Sequence, residues 1–373
     1  MAPFPVVLRT RSVDAVHPPI LACHKRRKRQ QLGVAAAGLF STSFRRPAIA
    51  CCPGRPVSPL PRVAVFLSSW SPIIVVARCL GLFVVTRSLT KTYGATAALD
   101  DCSLQVRQGE VFGLLGPNGS GKTTLLRLLM GYLRPTRGSA QIDGLDCYRQ
   151  SVAVHRGVAY LPGDARLFRQ MRGRDVLRFF SQIRTGTDFN RSLRLADRLS
   201  LDLSRQVAAF STGMRQKLAL AAVLAAEAPL LILDEPTANL DPTVRSDVIA
   251  IVREARAAGR TVVFSSHVLD EVEEACDRVC ILRRGRLVHT QVMSDLRRQH
   301  RIRAQLTAAL PEVPPRLAGE LAITTGAGGE LTIETPGELS PLLGWLATLP
   351  MAEVRVEPFG LRAVYDRFHS VEQ

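Results

Sequence analysis

Gly116-Pro-Asn-Gly-Ser-Gly-Lys-Thr-Thr124 decides the fold of this chain. The stretch fits the pattern G-x-x-x-x-G-K-[ST], a loop whose backbone N–H groups cradle phosphates. Its flanks agree. Glu110-Val-Phe-Gly-Leu-Leu115 reads as a buried strand, and Thr124-Leu-Leu-Arg-Leu-Leu-Met130 places apolar residues at helical spacing. Gly116, Gly119 and Gly121 let the backbone turn its N–H groups inward with no Cβ in the way. The helix that starts near Lys122 aims the positive end of its dipole at the phosphates. Lys122 reaches the β- and γ-phosphates, and the Thr123 hydroxyl is placed to ligate Mg²⁺. Pro117, Asn118, Ser120 and Thr124 complete the candidate nucleotide-binding loop.

A second stretch supplies carboxylates. Leu230-Leu-Ile-Leu-Asp-Glu235 ends a short apolar run in an Asp-Glu pair. Asp234 is placed to hold Mg²⁺, directly or through water. Glu235, one residue on, is placed to orient and activate water against the γ-phosphate. Alone, such a pair reads as the solvated end of a strand; beside a phosphate loop it reads as chemistry.

Between and around these stretches the pattern is orderly from Val84 onward. Val84–Thr90 and Ala98–Val106 alternate like strands of an antiparallel sheet. Ala140–Ile142, Gly157–Leu161, Pro229–Leu233 and Thr261–Ser265 read as strands. Asp175–Ile183, Asn190–Leu201, Gly213–Ala226 and Pro242–Ala257 read as helices, the last with proline near its start. Arg278–Leu282 and Arg286–His289 form a hairpin around Gly285. Strands alternating with helices imply an α/β parallel sheet. After Arg298 the texture changes: Arg301–Leu310, Leu321–Thr324, Leu331–Glu334 and Ala352–Val356 read as strands, Pro341–Thr348 and Leu361–Arg367 as helices. We therefore expect residues 84–298 to be the nucleotide-binding domain and 299–373 a small α+β domain.

The chain has 373 residues and a net charge of +17. Twelve basic residues and one acid, Asp14, precede residue 80, so the remainder carries only +6. The charge is thus no sign of a nucleic-acid partner, and none is expected. Residues 1–83 mix Pro, Arg, Ser and apolar residues without periodicity. The run Lys25–Arg29 fits an address or anion patch. The Arg-rich, acid-poor composition fits a transit peptide. Val63–Val85 is apolar enough for a membrane span, but Arg78, Ser68, Ser69, Ser71 and Pro72 interrupt it. The favoured expectation is a disordered extension or an upstream reading frame, with translation starting near Val84. From there on arginine abounds while lysine is confined to Lys91, Lys122 and Lys217, the usage of a GC-rich genome. The eight cysteines show no C-x-x-C pair, and the expected state is reduced thiols, with no zinc site.

Further motifs follow in order: Thr90-Lys-Thr-Tyr-Gly94 upstream of the loop, then Phe210-Ser-Thr-Gly-Met-Arg-Gln-Lys217, Leu233-Asp-Glu-Pro-Thr-Ala-Asn-Leu-Asp-Pro242 and Ser265-Ser-His267. The ordered set, over about Val84 to Arg298, resembles the ATP-binding-cassette (ABC) ATPase family. The resemblance implies a P-loop NTPase core with an antiparallel β subdomain and a helical subdomain, ATP and Mg²⁺ as ligands, and ATP hydrolysis. By matching position, Tyr93 stacks on adenine, Ser211 and Gly213 close on the γ-phosphate of a second cassette, Asn239 to Asp241 communicate across that interface, and His267 contacts the γ-phosphate. Two departures stand out. The signature usually written L-S-G-G-Q is here Phe210-Ser-Thr-Gly-Met214. In Tyr160-Leu-Pro-Gly-Asp164, Gly163 stands where the family commonly has glutamine, leaving Asp164 as the candidate for the metal contact.

A single set of motifs implies a homodimer or a paired second cassette. From Val84 onward no segment is apolar and long enough to span a bilayer, so a transmembrane permease on a separate chain is expected. The cassette would then sit at the cytoplasmic face of the cell membrane, reaching the membrane through that permease. The signature and short appendage look most like exporters of drugs, lipids or polysaccharides. Phe168, Phe179 and Phe180 fall in the subdomain that docks the permease by resemblance; ordinary core packing is the expectation for Phe179 and Phe180. A soluble cassette ATPase of translation, DNA repair or regulation is the alternative, although the paired cassettes or long heptad coils of such proteins do not occur here.

Overall fold

The computed structural model describes residues 81–184, 186–315, 317, 321–326, 328–335 and 337–369. The readings made above for residues 1–80, the basic run and most of the apolar stretch among them, lie outside the described residues, as do Cys23, Cys51, Cys52 and Cys79.

The chain opens with β1 (Leu82–Tyr93), β2 (Thr96–Cys102) and β3 (Gln105–Arg107). Both β2 and β3 pair with β1 antiparallel. The single strand expected over Ala98–Val106 is therefore two. The break is satisfied by a side chain: Thr86 Oγ1 donates to the Cys102 carbonyl at 2.9 Å and accepts from Leu104 N–H at 2.9 Å. Next come β4 (Val111–Leu115), the loop, and α1 (Lys122–Leu129). Strands β5 (Arg137–Ile142) and β6 (Leu145–Asp146) return to complete a five-stranded antiparallel sheet. Helix α2 (Ser151–Gly157) leads into β7 (Val158–Leu161).

Helices α3 (Gly173–Ile183), α4 (Phe189–Arg198) and α5 (Thr212–Leu224) pack around Val176, Leu177, Ala196, Leu201 and Leu218 as a helical layer with its own core. Helix α4 stops short of its expected end at Leu201 because Ser200 takes a left-handed backbone, φ 52°. Then follow β8 (Leu230–Asp234), α6 (Pro242–Ala257), β9 (Thr261–Ser266), α7 (Leu269–Ala275), β10 (Arg278–Arg283), β11 (Arg286–Val292) and a single turn, α8 (Met293–Leu296).

The central sheet has the order β11-β10-β4-β9-β8-β7. Every neighbouring pair is parallel except β10 with β11, the hairpin expected around Gly285. Every residue of β4, β8 and β9 is buried, as a parallel strand covered on both faces requires. The loop, Glu235 and His267 thus all follow the carboxyl ends of three adjacent strands, β4, β8 and β9, where open α/β sheets bind their ligands.

The last part forms a four-stranded antiparallel sheet, β13-β14-β12-β15, from β12 (His300–Leu306), β13 (Ala322–Thr325), β14 (Glu330–Thr335) and β15 (Met351–Pro358). A core of Ile302, Leu331, Ile333, Trp345 and Leu346 lies under it. The helix expected over Pro341–Thr348 is one turn, α9 (Leu343–Leu346). Helix α10 (Leu361–His369) leaves this unit and joins the core of the central sheet through Leu361 and Val364, with Phe359 ahead of it.

Candidate nucleotide site and the groove beside it

The phosphate loop is held by close backbone approaches. Gly121 has φ 106°, and a Cβ there would lie 2.7 Å from the Ala98 carbonyl on β2. No other residue type fits that turn against that neighbour. Lys122 is 5% exposed, and its Nζ donates to the Gly116 carbonyl at 2.7 Å and the Pro117 carbonyl at 3.2 Å. Glu235 Oε1 lies 3.6 Å from the same Nζ. Burial pulls the Lys122 ammonium below its ordinary pKa, while Glu235 and Asp234 oppose the shift. Ser120 Oγ is buried in the loop with no hydrogen-bond partner, an acceptor and donor left for a ligand.

Thr123 and Asp234 come together as their spacing in the sequence, more than a hundred residues, does not reveal. Thr123 Oγ1 donates to Asp234 Oδ2 at 2.9 Å. The other carboxylate oxygen accepts from Ser265 Oγ at 2.6 Å, and that hydroxyl accepts from Glu235 N–H at 2.9 Å. Ser265, on β9 opposite Asp234 in register, is a contributor that the motif reading passed over. His267 Nδ1 is 3.5 Å from Glu235 Oε1. Lys122, Thr123, Asp234, Glu235 and His267 therefore form one contiguous constellation. Among the described residues, no cluster of three or more His, Cys, Asp or Glu side chains could hold a metal without other ligands.

A cavity of about 520 Å³ opens beside Thr123, Asp234 and Glu235, with Gly163 and Asp164 on its rim. A Cβ on Gly163 would sit 3.5 Å from Asp234 Oδ2, so a side chain at this position would point at that carboxylate. The Asp164 side chain is 80% exposed and ion-paired to Arg166 at 3.2 Å.

Tyr93 lies at the tip of the β1–β2 hairpin, 49% exposed. Ser211 caps α5 by accepting from Met214 N–H at 3.2 Å. Gly213 lies against the Asn239 carbonyl, 2.7 Å from where its Cβ would be. Gln216, buried one turn into α5, donates to the Pro236 carbonyl at 3.1 Å, and Lys217 reaches Asp241 at 3.9 Å. Asp241 itself caps α6 through Val244 N–H at 3.0 Å. In these contacts Ser211 and Gly213 do not meet the chain's own loop; Gly213 sits beside the segment that follows Glu235.

A second groove, also about 520 Å³ and mostly apolar, runs between α2, α3 and α5. Val152 and Ile183 on its lining are 71% and 62% exposed. Tyr160, Pro162 and Arg166 line both this groove and the cavity beside Asp234. Phe168, Phe179 and Phe180 cluster nearby with ring centroids 5.0 to 6.4 Å apart. Phe168 is exposed; Phe179 and Phe180 are half-buried, and Phe180 packs against the core of the helical layer.

This fold, with this loop at the end of its central parallel strands, defines a P-loop ATPase. A family model described as ABC transporter matches residues 99–238. The daunorubicin resistance ATP-binding protein DrrA3 of Streptomyces coeruleorubidus is 37% identical over 213 residues, covering 56% of this chain and 67% of that one. The Nod factor export ATP-binding protein I of Mesorhizobium japonicum is 33% identical over 208 residues, covering 53% and 60%. A solved ATP-binding subunit of an ABC transporter, 30% identical, superposes with a TM-score of 0.53 over 58% of this chain and 92% of its own. The chain belongs to the ABC transporter family and is an ATP-binding, ATP-hydrolysing subunit of it.

Proposed function

We propose that the chain drives export through a separate transmembrane permease, using Mg·ATP bound between two copies of itself at the cytoplasmic face of the membrane. The observation that carries this reading is the shared wall. Tyr160, Pro162 and Arg166 line both the cavity beside Asp234 and the exposed apolar groove, so an event at the nucleotide is felt where a partner helix can lie. The occupant of the groove is an amphipathic helix of the permease, its apolar face against Val152, Phe180 and Ile183. None of the described helices is long and apolar enough to cross a membrane, so the span belongs to residues or chains beyond these. The relatives named for drug resistance and for export support the direction.

Within the site, Thr123 and Asp234 fit Mg²⁺. They are hard oxygen donors, a hydroxyl and one carboxylate, and Mg²⁺ takes one or two such groups plus phosphate oxygens and waters. When bound, the ion would neutralise charge on the phosphates. Lys122 exchanges its bonds to the Gly116 and Pro117 carbonyls for phosphate oxygens. Glu235 accepts a proton from the attacking water, and His267 beside it is placed to hold the γ-phosphate end of the substrate. Ser211 and Gly213 serve the partner's nucleotide: in their own chain Ser211 caps α5 and Gly213 lies against the Asn239 carbonyl.

Glu235→Gln is the direct test. Loss of the base is expected to lower turnover by about 10² to 10⁴ while ATP binding survives, so size-exclusion chromatography of the variant with Mg·ATP should show a dimer. A variant that stays monomeric with ATP refutes the paired-cassette reading. Co-purification of the wild-type chain with a multi-span protein from membranes tests the permease.

A further inference from the structure

Glu271 is a buried carboxylate that the hydrolysis chemistry above does not use. It lies on α7 and is 8% exposed. Its Oε2 accepts two short hydrogen bonds, from Thr237 Oγ1 at 2.6 Å and from Ser266 Oγ at 2.8 Å. Both hydroxyls are themselves buried, at 4% and 2% exposure. The Ser266 hydroxyl accepts in turn from Val268 N–H at 3.0 Å. The other oxygen, Oε1, is buried with no hydrogen-bond partner; the nearest cation is the Arg245 guanidinium at 3.9 Å, whose Nε donates to the Leu240 carbonyl at 2.8 Å.

The residues gathered here have one thing in common. Thr237 and Leu240 belong to the segment that leaves β8 after Glu235 and runs to Asp241. Ser266 and Val268 flank His267 at the end of β9. A carboxylate held out of water is a costly way to fill space, and one with an unmatched oxygen more so. The two short hydrogen bonds to Oε2 fix the geometry between the segments they join.

We propose that Glu271 is a positioning residue for ATP hydrolysis: its carboxylate locks the Glu235–Asp241 segment to the Ser266–Val268 turn, so that Glu235 and His267 are set as a unit when a second cassette meets Asn239–Asp241. The proposal rests on the site roles given above. It gives an oxygen-by-oxygen expectation. Glu271→Gln keeps a carbonyl oxygen that accepts from both hydroxyls and replaces the oxygen facing Arg245 with an NH2 group. Glu271→Ala loses the whole node.

Steady-state ATPase, binding of a fluorescent ATP analogue and Tm are measured on the full chain carrying Glu271→Ala, Glu271→Gln, Thr237→Val and Ser266→Ala, with Glu235→Gln in parallel. Glu271→Ala is expected to lower kcat at least tenfold with nucleotide affinity within twofold of wild type. Glu271→Gln is expected to restore kcat to within threefold. Thr237→Val added to Glu271→Ala should slow turnover no further, since both remove the same contact. An unchanged kcat in Glu271→Ala overturns the proposal, as does an equal loss in Glu271→Gln or a loss of kcat matched by weaker nucleotide binding. If Glu271→Ala fails to fold, Thr237→Val and Ser266→Ala decide: a lower kcat in both supports the node, and wild-type kcat in both overturns it. If Glu235→Gln turns over at the wild-type rate, the site reading itself is wrong; if Glu235→Gln is inactive and Glu271→Ala is not, only this proposal fails.

Discussion

Two glycines of this chain ask for opposite treatment. At Gly163 a Cβ meets Asp234 Oδ2 at 3.5 Å, an ordinary contact, and the space beyond is cavity. Gly163→Gln therefore adds an oxygen donor next to the Thr123–Asp234 pair without displacing anything. Its stability should stay within about 0.5 kcal/mol of wild type, and the Mg²⁺ concentration for half-maximal ATPase should fall. A raised Mg²⁺ requirement would mean that the side chain turns away from the pair. At Gly213 the neighbour is backbone: a Cβ would lie 2.7 Å from the Asn239 carbonyl. Gly213→Ala must move the Asn239 segment or the start of α5, a strain of about 1 to 3 kcal/mol. A lower Tm in thermal unfolding checks it, and an unchanged Tm would show that the loop yields freely.

Among the elements, β2 and β10, the turn after α7 and the turn before α2 each bury one thiol: Cys102, Cys280, Cys276 and Cys147, all free. Burial, with Asp101 and Asp146 adding smaller effects, pushes Cys102 and Cys147 up to about 12. Burial raises Cys276 and Cys280 as well. The folded state thus favours the neutral thiol, while the unfolded chain ionises near the ordinary value of 9.0. The sign follows: this stability is fully present below about pH 9 and is lost as pH climbs from there toward 12. Urea midpoints should fall over that window. Peptide-level alkylation at pH 8 should spare these four cysteines until the protein unfolds, and rapid labelling of the native state would contradict their burial.

The same scale shows what could be read in advance. The strands β4, β8 and β9 announce themselves as short apolar runs because both of their faces are covered. Helices α5 and α6 announce themselves by length, and α6 also by Pro242 at its start. Helices α2 and α7 went unread. Each is seven residues long and buries only one to three side chains, too few for a period to emerge. The site was legible where chemistry is local: the loop, the Asp-Glu pair, the histidine. Ser265, Glu271 and Gln216 were not, since each acts through partners that only the parallel register of β8 with β9, or the packing of α5, brings close. Asp164 lines the same cavity as Asp234 and pairs with Arg166 at 3.2 Å, a partner two residues along the chain that the motif reading did not include.

At the scale of the molecule, the last helix ties the chain's end to the nucleotide-binding core. Phe359, Leu361 and Val364 are 5%, 0% and 6% exposed in the same cluster as β8, α6 and α7. The Leu361 N–H is held by Glu273 Oε2 at 3.1 Å, on the helix that also carries Glu271. Arg283 donates to the Phe368 carbonyl at 2.6 Å, and the Phe368 ring stacks on His289 at 4.8 Å. Burying three such apolar side chains contributes roughly 1.5 to 3 kcal/mol each, or about 5 to 9 kcal/mol together. That is comparable with the whole stability of a domain, about 5 to 15 kcal/mol. Deletion of residues 359–373 is therefore expected to lower Tm by at least ~10 °C or to give insoluble protein, even though no residue of the phosphate loop is touched. Leu361→Ala, a cavity of one side chain, should cost about 2 to 5 kcal/mol and leave ATP affinity intact below its own Tm. A truncated chain as stable as the full one would mean that the cassette core closes without α10, and the contacts of Phe359, Leu361 and Val364 would then be incidental to its fold.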